Sequence, residues 1–377
     1  MQLATRLIHE HKVSHESRAV TPPLILSTTF ERGENGTDYP GGYLYSRYDT
    51  PNRHSLELKL ASMEAGTEAI CFSSGLAASA ALFQTLKPGD HLILADDTYF
   101  AIRSQLDQLF SAYQISYTLT DLTHPSRVEN AIQPNTRMIW AETPSNPLLK
   151  ISDIEAIANI AKSKNCILVV DNTWATPYST NPIILGADIV LHSTTKYLGG
   201  HCDLLGGVLI CKEQNERTTF LRNIQKLGGA VPSAFDCWLL NRSLSTFSAR
   251  MNLHCNNALE LALYLESRAE IEKVFYPGLP SHPQHLIALK QMKNGFGGMM
   301  SILVKGGQSN ALKLAGNLQL FTHATSLGGV ESLIEHRKSV EGPGSATPDH
   351  LLRISVDIEA IQDLIDDFNQ ALKTLSA

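Results

Sequence analysis

The sequence predicts an α/β protein in which a mostly parallel sheet domain precedes a smaller α/β domain. From about residue 52, short apolar runs alternate with helical segments, which is the pattern of strands joined by crossover helices. After Pro232 the pattern changes to a long helical stretch followed by fewer strands. The chain has 377 residues, of which 43% are hydrophobic and 18% charged, so it can bury a sizeable core.

The first 52 residues differ in character from the rest of the chain. They are rich in Thr, Pro, Gly and Tyr, as at residues 21–23 and 39–43, and they show weak periodicity. Such a segment buries little surface alone, so we predict that residues 1–52 form an arm lying on a second subunit. We assign residues 53–245 to the large domain and residues 246–377 to a small C-terminal domain.

The large domain begins with an amphipathic helix over residues 54–65, where leucines recur among charged residues. Another helix is predicted over residues 152–164, with Ser152 as its N-cap. Apolar strands that alternate with helices are typical of a parallel sheet covered on both faces. The predicted strands are the apolar runs at residues 69–72, 91–94, 138–140, 167–170, 189–191 and 207–210.

The C-terminal part of the chain begins with one long predicted helix over residues 233–269, because its apolar residues follow near-helical spacing. A final helix is predicted over residues 358–375. The predicted strands between these helices are residues 299–304, 318–321 and 351–355. We therefore expect the second domain to be a small α/β unit.

Composition excludes several classes of function. The net charge of −6 gives no reason to expect nucleic-acid binding. No apolar segment approaches the ~20 residues of a membrane helix, and the first ten residues contain no apolar signal-peptide core. The six cysteines show no CxxC pair, so we expect reduced thiols. These features predict a cytoplasmic protein that binds neither nucleic acid nor a membrane.

Two charged residues follow predicted strands of the large domain. Asp171 ends one apolar run, and Lys196 follows another among the small hydroxyl residues Ser193 and Thr195. Burying charge is costly unless the charge is paired or functional. A lysine for a Schiff base and an aspartate for a pyridinium nitrogen are what pyridoxal 5'-phosphate (PLP) requires of a protein. Their separation allows one strand–helix–strand step, which would place both groups at the carboxyl edge of the sheet.

Candidate anion-binding residues occur at three further places. The turn at residues 73–75 joins a predicted strand to an alanine-rich helix, whose N-terminal amides favour a phosphate. Arg47 in the arm can make a paired contact with phosphate, and Arg353 on a predicted strand can hold a carboxylate bidentately. Taken singly, each feature has an ordinary alternative: a strand-end lysine, a capping aspartate, a common turn, a solvated arginine or a cross-domain salt bridge.

Together these segments resemble the Cys/Met-metabolism family of PLP enzymes, which contains cystathionine synthases and lyases, methionine γ-lyases and homoserine-ester sulfhydrylases. The resemblance covers nearly the whole chain, and the ordered set is far more specific than any one segment. The matching segments are Tyr45-Ser46-Arg47, Ser73-Ser74-Gly75, residues 142–147, Asp171-Asn172-Thr173, residues 193–197, Gly199-Gly200-His201, residues 326–333 and Arg353.

The resemblance implies a PLP-dependent transferase fold of the aspartate aminotransferase-like type, fold type I, with a seven-stranded sheet. It also implies that Lys196 forms the Schiff base and shuttles protons, that Asp171 contacts the pyridine nitrogen, and that Tyr99 stacks on the ring. The other implied cofactor-binding residues of the same chain are Ser74, Gly75, Leu76, Thr173, Ser193 and Thr195. The implied holders of the substrate carboxylate are Asn146, Ser326 and Arg353.

By the same resemblance, Tyr45 and Arg47 would complete the cofactor site of the neighbouring subunit. The active unit would then be a homodimer that shares its active sites, usually within a homotetramer. The substrate would be a small sulfur amino acid. Each of these statements is implied by the family and not by the spacing of the residues.

Several positions depart from the common family pattern. Leu44 and Thr325 stand where members with γ-chemistry on cystathionine usually carry carboxylates, and Phe100 stands where methionine γ-lyases usually carry cysteine. Residues 48–52 and 335–348 also differ from the common pattern. Bacterial β-lyases often have Tyr-Ser-Trp where this chain has Thr-Ser-Leu, so that match is incomplete.

Three hypotheses follow. The neutral Leu44 and Thr325 favour a carbon–sulfur β-lyase that converts L-cystathionine to homocysteine, pyruvate and ammonia in methionine biosynthesis. The alternative is γ-chemistry on the same scaffold, as in a cystathionine γ-synthase, a γ-lyase or a homoserine-ester sulfhydrylase. The third is a non-catalytic PLP-binding protein, against which the joint presence of Lys196, Asp171 and Tyr99 argues.

Overall fold

The computed structural model describes residues 1–13, 18–342 and 345–375, and these contain two β-sheets with helices packed on them. The strands are β1 Glu68–Phe72, β2 His91–Ala95, β3 Ser116–Thr120, β4 Thr136–Glu142, β5 Ile167–Asp171, β6 Ile189–Ser193, β7 Gly207–Cys211, β8 Ile271–Phe275, β9 Met299–Val304, β10 Thr322–His323, β11 Leu333–His336 and β12 Leu351–Ser355. The helices are α1 Leu3–His9, α2 Pro51–Met63, α3 Gly75–Phe83, α4 Phe100–Gln108, α5 Pro125–Ala131, α6 Ile154–Ser163, α7 Thr176–Ser179, α8 Glu216–Gly228, α9 Ala234–Leu244, α10 Phe247–Glu266, α11 His285–Gln291, α12 Gly307–Asn317, α13 Arg337–Glu341 and α14 Ile361–Lys373.

The larger sheet has seven strands in the order β1-β7-β6-β5-β4-β2-β3. The strands from β6 to β3 pair in parallel, whereas β7 is antiparallel to both β1 and β6. The predicted mostly parallel, seven-stranded sheet is thus confirmed. The prediction from apolar runs missed β3, because this edge strand is polar and none of its residues is fully buried.

Both faces of the larger sheet are covered by helices. Leu92 and Leu94 of β2 pack with residues of α3 and α4, whereas Ile93 packs on the other face with residues of α5 and α6. This alternation of side chains within one strand explains why the sequence shows continuous apolar runs. In the described ranges, no helix is long and apolar enough to cross a membrane.

The smaller sheet has the order β10-β11-β12-β9-β8 and packs with α10, α12 and α14. Its strands are antiparallel except for the short parallel pair β10 and β11. The predicted strand over residues 318–321 is wrong, since the strand is the shorter Thr322–His323. The Asp367 carboxylate accepts from the backbone N–H groups of Gln319 and Leu320, so those groups do not need a neighbouring strand.

The single long helix predicted over residues 233–269 is also wrong, because α9 ends at Leu244 and α10 begins at Phe247. The backbone N–H groups of Ser245 and Thr246 bond three residues back, which tightens the last turn of α9. The Ser243 carbonyl, which accepts from Thr246, also accepts from Arg250 Nη2 at 3.2 Å, so a side chain of α10 adds to the bonds that end α9.

Helix α6 is capped by Asp153 and not by the predicted Ser152. The Asp153 carboxylate accepts from the Ala156 N–H at 3.0 Å, whereas Ser152 is buried and its N–H donates to Thr143 Oγ1 at 3.1 Å. The final helix begins at Ile361, three residues later than predicted. The predicted boundary between domains at residues 245 and 246 falls in the break between α9 and α10, and the division into three segments stays a prediction.

Candidate active site

Three neighbouring strands of the larger sheet carry polar side chains at its carboxyl edge. Glu142, Asp171 and Ser193 are the last residues of β4, β5 and β6. Glu142 and Asp171 are register partners, and Lys196 follows β6 by one turn, with its N–H donating to the Ser193 carbonyl at 3.3 Å. The sheet therefore brings the predicted residues Asp171, Ser193 and Lys196 to one edge, as parallel strands do.

Thr173 connects the ends of β5 and β6. Its N–H donates to Asp171 Oδ1 at 3.0 Å, and its hydroxyl oxygen accepts from the Ser193 N–H at 2.9 Å. These two bonds fix the Asp171 carboxylate relative to Ser193.

Glu142 is a site residue to which the sequence argument gave no role. Its carboxylate accepts from the Tyr99 N–H at 2.9 Å, and Tyr99 directly precedes α4. Its position at the end of an apolar run, like that of Asp171, was the available signal. Glu142 therefore links the predicted stacking tyrosine to the edge of the sheet.

The two carboxyl groups of Glu142 and Asp171 lie in a poorly solvated environment. Burial raises the pKa of Glu142 well above its ordinary value, and the neighbouring Asp171 carboxylate raises it further. Burial also raises the pKa of Asp171, while its hydrogen bonds with Thr173 oppose the rise. Glu142 is thus the member of the pair that holds a proton more firmly.

The turn after β1 forms a helix N-terminus beside β6. Ser74 is the N-cap of α3, and its hydroxyl accepts from the Ala77 N–H at 3.0 Å. The N–H groups of Gly75 and Leu76 lie in the first turn of α3, where the helix has no carbonyl to accept from them. They therefore stay available to an anion. A Cβ atom added to Gly75 would lie only 3.2 Å from Ser193 Cβ, so glycine permits the close approach of this turn to Ser193.

Thr195 lies beside the same turn. Its hydroxyl oxygen accepts from the Gly206 N–H at 3.1 Å and lies 3.3 Å from the Gly206 carbonyl. A Cβ atom added to the adjacent Gly207 would lie 2.3 Å from the Ser74 carbonyl oxygen. The backbone at the start of β7 therefore contacts Thr195 through Gly206 and the Ser74 turn through Gly207.

The Lys196 amine points to a residue of the C-terminal part of the chain. Its Nζ donates to Ser326 Oγ at 2.7 Å. Burial lowers the pKa of Lys196 to about 8, and the nearby Arg353 cation contributes to the decrease. A lysine with a pKa near neutrality supplies a substantial fraction of neutral amine, which is the reactive form.

Arg353 lies on β12, where it is buried and joined to the other predicted carboxylate-binding residues. Its Nη1 donates to Asn146 Oδ1 at 3.1 Å, and its Nη2 donates to the Ser326 carbonyl at 3.2 Å. The guanidinium carbon lies 5.8 Å from the centroid of the Trp174 ring. Burial lowers the pKa of Arg353 to about 10, although the Glu335 carboxylate opposes the decrease. Arg353 is still charged at neutral pH.

Glu335 and Arg337 extend this cluster and were not predicted as site residues. Glu335 is the register partner of Arg353, and its Oε1 lies 2.7 Å from Arg353 Nη2 and 3.1 Å from Arg337 Nη1. Both residues belong to the segment that departs from the common family pattern. The departure was a signal, but the sequence did not show that it lies beside Arg353.

Tyr45 and Arg47 do not join the cradle formed by Ser74, Gly75 and Ser193 within the described chain. Arg47 Nη1 donates to the Lys226 carbonyl at 2.7 Å, and its guanidinium carbon lies 5.7 Å from the Tyr45 ring centroid. Tyr45 is 43% exposed on the arm. Their predicted contribution to a neighbouring subunit stays a prediction.

Comparison with known proteins identifies the family. The sequence matches the family described as Cys/Met metabolism PLP-dependent enzymes over residues 4–373. The chain belongs to this family. A cystathionine γ-synthase of Mycobacterium tuberculosis is 44% identical over 98% of this chain and 96% of its own length. A cystathionine β-lyase of Coxiella burnetii is 42% identical over 98% of this chain and 97% of its own length.

One solved structure that resembles this chain is that of metB from Corynebacterium glutamicum. The two structures superimpose with a TM-score of 0.96 at 42% sequence identity, covering 100% of this chain and 98% of the other. These findings confirm the predicted family, the PLP-dependent fold and the dependence on PLP.

The residues of this chain fit PLP. Free N–H groups at the start of α3 and the hydroxyls of Ser193 and Thr195 suit a phosphate, and the Gly75 position leaves the space that a Cβ would fill. At the same edge of the sheet the chain offers a carboxylate, Asp171, and an amine of lowered pKa, Lys196. These are the groups that PLP requires from a protein.

Proposed function

We propose that the protein is a PLP-dependent carbon–sulfur β-lyase, in which L-cystathionine and water give homocysteine, pyruvate and ammonia. Family membership supports PLP chemistry on a sulfur amino acid. The choice of β-elimination rests on one observation: Thr325, directly before Ser326, is neutral and exposed. A neutral residue there, like Leu44 in the arm, leaves no carboxylate of the kind typical of γ-chemistry on cystathionine.

We assign the cofactor to the cluster at the carboxyl edge of the larger sheet. Lys196 would form the Schiff base, Asp171 would bind the ring nitrogen, and Tyr99 would stack on the ring. The other assigned cofactor contacts are Ser74, Gly75, Leu76, Thr173, Ser193 and Thr195, with Tyr45 and Arg47 donated by a second subunit. We accordingly expect a homodimer that shares its active sites, within a tetramer in the cytoplasm.

The proposed reaction assigns a role to residues near the carboxyl edge of the larger sheet and on β12. Arg353 binds the α-carboxylate, with Asn146 and Ser326 holding the guanidinium in position. Lys196 would be the base that removes the α-proton. Bound PLP supplies the electron sink for the pair left at the α-carbon. The Cβ–S bond would then break, the protonated Lys196 would return its proton to the departing sulfur, and water would convert the remaining three-carbon unit to pyruvate and ammonia.

A second candidate is the γ-replacement that forms cystathionine from an activated homoserine and cysteine. It is favoured by the relatives named cystathionine γ-synthase, which are 44% identical to this chain. γ-Chemistry requires a second proton removal, at Cβ, before the γ-substituent leaves. The same Lys196 would perform it, so the arrangement of the base does not separate the two candidates.

The deciding experiment is incubation of the PLP-loaded protein with L-cystathionine, followed by mass spectrometry of the keto acid. We expect pyruvate together with homocysteine. 2-Oxobutyrate would contradict the proposal and indicate γ-elimination. If no keto acid forms, the protein should be given O-acyl-homoserine and cysteine, and formation of cystathionine would establish the second candidate.

A further inference from the structure

Arg337 is a buried cation with one unpaired donor edge, formed by Nη2 alone. Its side chain is 3% exposed, its Nε donates to Glu341 Oε1 at 2.7 Å, and its Nη1 donates to Glu335 Oε1 at 3.1 Å. Its Nη2 is buried, and no described residue accepts a hydrogen bond from it. An unpaired donor on a buried charge is costly, so this edge is suited to a ligand that supplies the missing acceptor.

The Arg337 guanidinium lies beside the residues assigned to the substrate. Arg337 and Arg353 share a single carboxylate oxygen of Glu335, so the two guanidinium groups are neighbours. The Arg337 guanidinium carbon lies 5.7 Å from the Phe100 ring centroid, and the Phe100 ring lies 4.9 Å from that of Tyr99. Arg337 is also close enough to lower the pKa of Lys196 and of Arg353.

The chemistry of the edge indicates the ligand class. A guanidinium presents its N–H groups in a planar fork that matches a carboxylate. Arg353 already serves one carboxylate, which every α-amino acid carries. A second arginine nearby, with a buried and unpaired Nη2 donor, is therefore best explained by a substrate with two carboxylates.

We propose that Arg337 is a second anion-recognition residue of the substrate site, which binds the distal carboxylate of a dicarboxylic sulfur amino acid while Arg353 binds the α-carboxylate. This inference rests on the proposed function, because it names the substrate class of the same site. It assigns Arg337 to discrimination between substrates and leaves proton transfer to Lys196.

A matched pair of substrates tests this assignment. L-Cystathionine carries the distal carboxylate, whereas S-(2-aminoethyl)-L-cysteine keeps the thioether and a distal ammonium group but lacks that carboxylate. Pyruvate formation from both is measured with wild-type protein, R337Q and R337K. K338Q, the same loss of charge at the next residue of α13, is the control.

We expect R337Q to reduce kcat/KM for L-cystathionine by about 10- to 100-fold, which is typical of losing a charge-assisted hydrogen bond, mainly through KM. The rate with S-(2-aminoethyl)-L-cysteine should be nearly unchanged, R337K should be intermediate, and K338Q should resemble wild type. Each variant is compared between two substrates. Partial misfolding would lower both rates by the same factor, so it cannot produce a loss that is selective for L-cystathionine. Equal losses for both substrates, or no loss for either, would overturn the role of Arg337.

The proposed β-lyase activity is tested separately by the same samples. If wild-type protein forms no pyruvate from either amino acid, that activity fails, and the dissociation constants of the two amino acids are measured by calorimetry instead. A preference of wild type for L-cystathionine that R337Q abolishes would still support Arg337 as the recognition residue. Absence of such a preference in wild type would overturn it.

Discussion

Glu142 and Asp171 are register partners on adjacent parallel strands, so two carboxyl groups share the carboxyl edge of the larger sheet. Two such groups cannot both ionise cheaply in a poorly solvated site. Since burial and the Asp171 carboxylate raise the pKa of Glu142 well above its ordinary value, we predict that Glu142 retains the proton and that Asp171 carries the charge. The pair thus divides into a neutral member that bonds to Tyr99 and a charged member available to the cofactor.

This division predicts opposite outcomes for two isosteric substitutions. E142Q should leave turnover almost unchanged, because glutamine is neutral and still accepts from the Tyr99 N–H. D171N should reduce kcat by about 100-fold or more, since it removes the charged partner of the ring nitrogen. Steady-state rates of both PLP-loaded variants provide the measurement, and a large loss in E142Q would show that Glu142 acts as a carboxylate.

The same raised pKa predicts how stability depends on pH. Above the ordinary carboxyl pKa the unfolded chain has lost the Glu142 proton and the folded protein still holds it. Stability therefore falls as pH rises from about 4.5 toward the raised pKa of Glu142. Urea unfolding of the PLP-free protein between pH 5 and 8 should show a shallower decrease in E142Q than in wild type.

Lys196 is expected to be indispensable for turnover but not for folding. K196A should reduce kcat by about 1,000-fold or more, because no other amine occupies this place, and its circular dichroism should match wild type. The control is K162A, an exposed lysine on α6, which should keep full activity. Retained turnover in K196A would remove Lys196 from the mechanism.

Rebinding of PLP to the cofactor-free protein should report the lowered pKa of Lys196. The neutral amine is the reactive form, so the rate of covalent attachment should rise with pH and level off above about 8. Attachment is trapped with borohydride and located by mass spectrometry. An attachment rate that still increases tenfold per pH unit up to pH 10 would contradict the lowered pKa.

Ser326 touches two functional groups through different atoms. Its hydroxyl accepts from Lys196, and its carbonyl accepts from Arg353. S326A removes only the hydroxyl, so kcat should fall about tenfold while KM changes little. A large increase in KM with unchanged kcat would show that the hydroxyl serves carboxylate binding instead.

Gly75 should be intolerant of even one methyl group. G75A places a Cβ 3.2 Å from Ser193 Cβ and should weaken PLP binding about tenfold, or 1.4 kcal/mol. G316A is a suitable control, because nothing lies within 4 Å of its added Cβ in α12. That control should keep PLP affinity and stabilise the protein by about 0.5–1 kcal/mol, measured by fluorescence titration and urea unfolding.

The buried strands of the larger sheet could be predicted from sequence because each is an apolar run with few alternatives. Elements whose position depends on distant residues could not. The carboxylate of Asp367 replaces a strand partner for Gln319 and Leu320, and the Arg250 side chain satisfies the end of α9. Neither contact can be predicted from the sequence around the backbone groups that it satisfies.

The candidate site shows the same limit. Asp171 and Lys196 could be placed at one edge of the sheet because parallel strands end together. The cross-strand contact of Glu335 with Arg353 depends on the register of β11 and β12, which no local pattern specifies. The resemblance therefore grouped Arg353 with Asn146 and Ser326, which do contact it, but gave no indication of its ion-pair partner Glu335.

The backbone of Ser326 has a positive φ of 92°, a strained conformation for serine that must be maintained by its surroundings. Through this one residue, the base and the carboxylate clamp are held at a fixed relative position. In the proposed reaction, with the carboxylate on Arg353 and the amino nitrogen at the cofactor, only one of the two mirror-image forms of an amino acid would direct its α-hydrogen toward Lys196. The strained backbone of Ser326 would then contribute to selecting the chirality of the substrate without touching the stereocentre.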